Sequence, residues 1–332
     1  MRTLPSILFL AMTAASYAGS LTVTKDEMTG WDVYVMSQGE TVATFVPAAG
    51  ANVQSIVHRG VEYLHQPEEL SKLPGVRCGT PVLYPTPNRI KGGQFEFEGH
   101  QFVFQKGPGN HIHGLVNDAE FHCESTHVTG DSVAVTAAIR FDDKSERGRL
   151  FPFEHTFRLK VSVLDGAVRW DYEVDNDASD RNLPFGVALH PYINYHGSRK
   201  DTYLHVPAES LMESVQQLPT GKLLSLDGHK LDARQPVSLE GYQADDVFIG
   251  MIPEKPAKVE FRNVGRSITF EASKEFTHLV IWTPDHPFMG IENQTCSTDA
   301  HNLASLGKND VAHLQICPPG EKRHGWVTYH FE

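Results

Sequence analysis

Two runs of alternating apolar and polar residues, separated by Asp165-Gly166, set the tightest limit on the fold. Phe157, Leu159, Val161 and Val163 occupy every second position before that dipeptide, and Val168, Trp170, Tyr172 and Val174 do so after it. A period of two puts each set on one face of an extended strand, whereas a helix would spread it around the circumference. Asp-Gly suits the tight two-residue turn of a hairpin, because glycine takes positive φ at little steric cost. The segment therefore reads as two antiparallel strands with one buried face.

The same signature recurs. Phe95 and Phe97 alternate with polar residues, Glu98-Gly99-His100 supplies a turn, and Phe102 and Phe104 resume the alternation. Ser132–Phe141, Ser267–Phe270 and His278–Trp282 behave alike, no long amphipathic helix is found, and 27 Gly with 20 Pro supply many turns. No low-complexity linker, internal repeat or composition break divides the chain. The expectation is an all-β fold, one large antiparallel β-sandwich over residues 19–332, with function on loops and on polar side chains of one sheet face. Such a fold leaves the reaction open.

Charge narrows the partners. The 29 Lys and Arg against 41 Asp and Glu give a formal net charge of -12, which repels phosphate backbones and anionic lipid. Nucleic acid is not an expected partner. At the start of the chain Arg2 precedes the apolar run Leu4–Ala15, and small residues follow at Ser16 and Ala18. This is the order of a secretory signal cleaved after Ala18, so residues 1–18 read as a signal peptide and the protein as exported, periplasmic or extracellular. No other stretch approaches the ~18 apolar residues that cross a bilayer, so no membrane association is expected once the signal is removed. Cys78, Cys123, Cys296 and Cys317 lack the paired spacing of a zinc site. They leave disulfide formation open beside burial as small apolar side chains.

Four segments depart from plain strand patterning. Pro87-Asn88-Arg89-Ile90, with Gly92-Gly93, sets an Arg among turn formers, where its donors suit sugar hydroxyls or a carboxylate as well as bulk water. His111-Ile112-His113-Gly114 places two imidazoles on one face if extended. A cupin-like metal site is poorly supported there, since Asn117 and Asp118 stand where its carboxylate belongs and the glycine pattern differs. Phe185–Asn194 is an apolar run that delivers His190 before Pro191-Tyr192, consistent with a packed histidine or a working one. Trp282-Thr283-Pro284 leads to Phe288–Ile291 and then Glu292. A carboxylate directly after an apolar run costs free energy unless it is paired or used, which makes Glu292 the leading acidic candidate.

In this order the segments resemble the aldose 1-epimerase, or galactose mutarotase, family. The matching pieces are Asn88-Arg89-Ile90 with Gly92-Gly93 and Phe95, His113-Gly114, His190-Pro191-Tyr192, and Trp282-Thr283-Pro284 with Glu292 and Gln294. Gly50-Ala51 and Pro319-Gly320-Glu321 extend the likeness over nearly the whole chain after residue 18. The resemblance implies a galactose mutarotase-like supersandwich and an isomerase that interconverts the anomers of a free aldose without a cofactor. It implies Glu292 as catalytic base, His190 as acid, and Arg89 and His113 as sugar-holding residues, with Asn88 beside them and Trp282 as an aromatic platform. A sugar-contacting Asp in a D-x-x-F setting falls on Asp245, with Asp246 adjacent. Where many relatives have Pro after the Glu this chain has Asn293, a departure that bears on local loop rigidity or substrate preference.

Those roles suit mutarotation, which removes the C1 hydroxyl proton while delivering one to the ring oxygen. They call for an ionised Glu292 and a protonated His190, each favouring the other's charge and tuning the imidazole upward. Two other readings stand beside this one. A hexose-6-phosphate 1-epimerase needs extra basic residues at the far end of the sugar, and a non-catalytic carbohydrate-binding protein needs no acid and base pair.

Overall fold

A computed structural model describes residues 19–332. The segment read as a signal peptide, residues 1–18, lies outside the described residues. Strand boundaries follow the alternation: Phe157 to Val163 lie in strand His155–Leu164 and Val168 to Val174 in Ala167–Asp175, with Leu164 opposite Ala167 across the Asp165-Gly166 turn. All eight side chains of these two apolar sets are buried. Each such burial contributes about 1.5–3 kcal/mol, most of which offsets the entropy lost in ordering the chain. The phenylalanine hairpin pairs Gln94–Phe97 with His100–Val103, and Phe95 stacks on Phe102 at 4.9 Å between ring centroids.

The strands build three large antiparallel sheets. A nine-stranded sheet runs in the order His122–Val128, Val133–Phe141, His155–Leu164, Ala167–Asp175, Lys322–Phe331, Arg266–Ala272, Ala257–Phe261, Thr202–His205 and Val237–Ser238. An eight-stranded sheet runs Leu218–Ser225, Ser210–Val215, Asp245–Ile249, His278–Trp282, Phe288–Gln294, Ala188–Leu189 and Val82–Leu83, with Tyr192–Asn194 also paired to Phe288–Gln294. The first five strands, from Ser20–Lys25 to Val61–Glu62, form the third. One apolar core joins them, drawing Phe45 from the five-stranded sheet, Phe157 and Trp170 from the nine-stranded, and Leu279 and Ile291 from the eight-stranded. Tyr84 stacks on Phe157 across the layers with centroids 4.2 Å apart. This is the β-sandwich expected from the alternation.

Among the described residues the α-helices are short, Glu146–Leu150, Ala300–Ser305 and Asn309–Ala312. None is long and apolar enough to cross a membrane. All four cysteines are free thiols; Cys78, Cys296 and Cys317 are buried, and Cys123 is exposed on the outermost strand of the nine-stranded sheet.

Candidate active site

The eight-stranded sheet carries a row of residues in direct register. Asp245 lies opposite Trp282, Trp282 opposite Gly290, and Gly290 opposite Tyr192 on its other side. Glu292 stands two positions beyond Gly290 and so shares its face. The glycine keeps the floor open: a Cβ there would sit 3.3 Å from both Glu292 Oε1 and the Trp282 ring. Tyr192, Asp245, Trp282 and Glu292 line a cleft of about 280 Å³ with Val76, Asn88, Arg89, His113, His190 and Gln217.

Loops bring in the remaining polar groups. The backbone N–H of His190 donates to the Pro81 carbonyl at 2.9 Å, which fixes the residue just past strand Ala188–Leu189. Its ring stacks on Tyr192 at 4.9 Å and meets Trp282 and His113 edge-on at 5.6 and 5.3 Å. His113 arrives by a turn in which it and Gly114 have φ of 68° and 71°. Gly114 is required there, since a Cβ would lie 2.3 Å from the Tyr84 carbonyl oxygen as well as at a strained φ. Asn88, at φ 54°, receives the backbone N–H of His113 on its carbonyl, and its Oδ1 accepts from Arg89 Nη1 at 2.9 Å. Arg89 is in turn paired with Ile112. One small loop pair thus sets Asn88, Arg89 and His113 together.

Electrostatics centre on His190 and Glu292. Nε2 of His190 lies 3.1 Å from Oε1 of Glu292, and both side chains are almost wholly buried. Burial first, and the Asp245 charge second, push the Glu292 carboxyl up to about 8, while hydrogen bonding from Gln294 and the charge of Arg89 pull the other way. Burial also drives His190 down to about 4. His113 lies well below the ordinary imidazole range, through burial and then the neighbouring charges of His190, Arg89 and His111. The upward-tuned His190 expected from the sequence is therefore reversed, because burial desolvates the imidazolium. Burial thus disfavours the charged form of both members of the pair.

Comparison with known proteins agrees with this fold. Residues 32–330 match the aldose 1-epimerase family model. The chain belongs to the aldose 1-epimerase family. It is 24% identical over 301 residues to the uncharacterized protein YihR of Escherichia coli (strain K12), a match covering 87% of this chain and 85% of YihR. Its fold is similar to that of a galactose mutarotase-like protein from Clostridium acetobutylicum, with a TM-score of 0.84 at 21% identity over 94% of this chain and 98% of the other. It is also similar to galactose 1-epimerase from Lactobacillus acidophilus NCFM, with a TM-score of 0.76 at 15% identity over 96% and 99% of the two chains.

In this aldose 1-epimerase family member all seven residues singled out from sequence, Asn88, Arg89, His113, His190, Asp245, Trp282 and Glu292, line the same cleft. Of the two adjacent aspartates it is Asp245 that does so; Asp246 is half-buried on the opposite face of its strand, within reach of the charges of His229 and Lys230. The two histidines of His111-Ile112-His113 do not share a face. The strand ends at Ile112, and His111 Nε2 pairs with the Gly114 carbonyl at 2.9 Å, bracing the turn that delivers His113. Nor does Asn293 lie in a loop: it is a buried residue of strand Phe288–Gln294 opposite Leu279, so the ladder rather than a proline fixes the backbone beside Glu292.

Three contributors carry no role in the sequence reading. Tyr192 Oη donates to the Val76 carbonyl at 2.7 Å, which ties the His190 loop to the cleft wall. Gln294 donates from Nε2 to Glu292 Oε2 at 3.2 Å, and its position two residues after Glu292 is a signal for a same-face partner. Gln217 donates to Asp245 Oδ2 at 2.8 Å from an exposed hairpin turn, where polar residues are ordinary and nothing local marks it.

Proposed function

We propose that this protein opens and recloses the ring of an unphosphorylated aldose, interconverting its α and β anomers with Glu292 and His190 as the paired proton carriers. The observation that carries the reading is the 3.1 Å contact between two buried titratable groups in a cleft that Asn88, Arg89, His113, Gln217 and Asp245 line with hydrogen-bonding side chains. Mutarotation needs a group that takes the C1 hydroxyl proton and a group that gives one to the ring oxygen. A pair holding a single proton does both: Glu292 as carboxylate takes the first while His190 as imidazolium gives the second. Opening the ring leaves the carboxylic acid and neutral imidazole that burial already favours, and closure on the other face of C1 reverses both transfers. Each positioned transfer is worth roughly 10²–10⁴-fold.

The surroundings support the same reading. Arg89 and Asp245 supply a donor and an acceptor for neutral hydroxyls, Trp282 and Tyr192 supply apolar ring faces, and His113 Nδ1 is a buried polar atom without a hydrogen-bond partner among the described residues. Export, read from residues 1–18, accords with an unphosphorylated substrate. NMR exchange spectroscopy on a panel of free aldoses tests the assignment. Exchange between anomeric signals that rises with enzyme supports it, and tight sugar binding without exchange would mark a binding protein instead.

A further inference from the structure

The hairpin formed by strands Ser210–Val215 and Leu218–Ser225 stands at the edge of the eight-stranded sheet, next to the strand that begins with Asp245. Val215 pairs with Leu218, so its turn consists of Gln216 and Gln217 alone, with φ of 51° and 63°. Both values belong to the left-handed region, where a two-residue hairpin turn favours Gly, Asn or Asp. Two glutamines here meet a backbone demand that their side chains do nothing to ease. Such an outlier at the mouth of a cleft points to a use for the side chain.

The geometry of Gln217 supplies that use. Its amide nitrogen reaches the cleft and donates to Oδ2 of Asp245 at 2.8 Å. The hairpin that presents it is held from outside: Lys308 Nζ donates to the Thr220 carbonyl, and the missing side chain of Gly221 leaves room for the lysine stem. Thr220 Oγ1 also donates to Glu213 Oε2 at 2.8 Å across the hairpin. The amide is thus positioned by a braced element.

We propose that Gln217 determines sugar specificity by holding Oδ2 of Asp245, which fixes the direction in which the carboxylate meets a sugar hydroxyl. An ionised carboxylate has about four lone-pair sites on its two oxygens; the amide fills one on Oδ2 and orients the group, so the sugar meets a fixed carboxylate with Oδ1 turned to accept. A hexose whose hydroxyl at the position read by Asp245 meets Oδ1 keeps the full contact, and its epimer at that carbon loses it. The amide oxygen of Gln217, beside the same carboxylate, accepts from the next hydroxyl along. This inference rests on the reading of the cleft as an aldose site.

Anomer exchange rates for wild type, Gln217→Met and Gln217→Glu, measured on glucose and on its C2, C3 and C4 epimers, test it. Both substitutions keep an unbranched side chain at the strained φ, so equal melting temperatures are expected. Met removes the donor and Glu replaces it with a charge that repels Asp245. The expected result is a KM for the preferred hexose raised about 2- to 10-fold, the size of the one neutral hydrogen bond its amide oxygen makes to the sugar, with kcat nearly unchanged and Glu more affected than Met. The spread of kcat/KM among the epimers should shrink in step. Unchanged KM and epimer ratios in an active Gln217→Met protein would overturn the inference while leaving the aldose reading intact. A kcat lost equally on every hexose would also count against it, because a filter acts on KM. Wild-type protein without exchange on any of the four sugars would overturn the aldose reading and this inference with it.

Discussion

Nε2 of His190 and Oε1 of Glu292 lie 3.1 Å apart inside a site that excludes most water from both. The contact joins the edge of one loop to the middle of strand Phe288–Gln294, and burial disfavours the charged form of each group. Apparent ionisations of such a site belong to the pair.

Turnover is accordingly expected to hold between about pH 4 and about pH 8. Below that window the pair takes a second proton as His190 becomes charged; above it Glu292 loses the last one. A pH–kcat profile measured by polarimetry checks this. An alkaline limb that persists unchanged in Glu292→Gln would assign the loss to another group.

Glu292→Gln should reduce anomer exchange roughly 10²–10⁴-fold, the range for one lost proton-transfer group. It should also alter the pH dependence of stability. A carboxyl whose folded value is raised to about 8 stabilises the fold fully below its unfolded value near 4.5 and loses that contribution as pH rises through 8. The Gln variant lacks this loss, so its melting temperature should gain on wild type as pH is raised from 5 to 9. Parallel melting curves at the two pH values would contradict the buried ionisation.

Gln294→Leu removes the amide that donates to Glu292 Oε2. A hydrogen bond to the ionised form lowers a carboxyl, so its removal should carry Glu292 still higher and shift the alkaline limb of the kcat profile upward. A limb that stayed in place would show that Gln294 does not act on the carboxylate.

Gly114→Ala should destabilise the fold by about 1–3 kcal/mol through its strained φ alone, with the contact at 2.3 Å to the Tyr84 carbonyl adding to that. Because His113 enters on the same turn, KM should rise in whatever protein remains folded. Thermal melts and a KM measurement separate the two effects.

Free hexoses should be preferred over their 6-phosphates. Among the described residues Arg89 is the one Lys or Arg lining the cleft, and Asp245 and Glu292 face it with carboxyl groups, so a dianionic substituent finds little compensation. Side-by-side kcat/KM values decide the point, and a preference for the phosphate would move the assignment to a sugar-phosphate epimerase. EDTA in the same assay is expected to leave turnover unchanged, since the proton transfers assigned to the pair call on no Lewis acid.

The period-two alternation determined the strands by itself, because side chains on a pleated backbone must alternate faces wherever the chain runs extended. Asp165-Gly166 fixed a hairpin for the equally local reason of turn geometry. Ordered motifs were enough to name Glu292 and His190, and the cost of a carboxylate beside an apolar run was legible one residue at a time. What those residues do to each other was not. Sequence spacing carries no burial, so it predicted mutual attraction and a raised imidazole, whereas the packed sheets withdraw water and reverse the direction for both groups. The choice of Asp245 over Asp246 waited on which face of its strand met the cleft, and the part of His111 waited on where that strand ended. Gln217 reaches Asp245 across 28 residues of chain. Only the pairing of its hairpin beside the Asp245 strand brings the two together, and such long-range register is decided by the packing of the whole sheet.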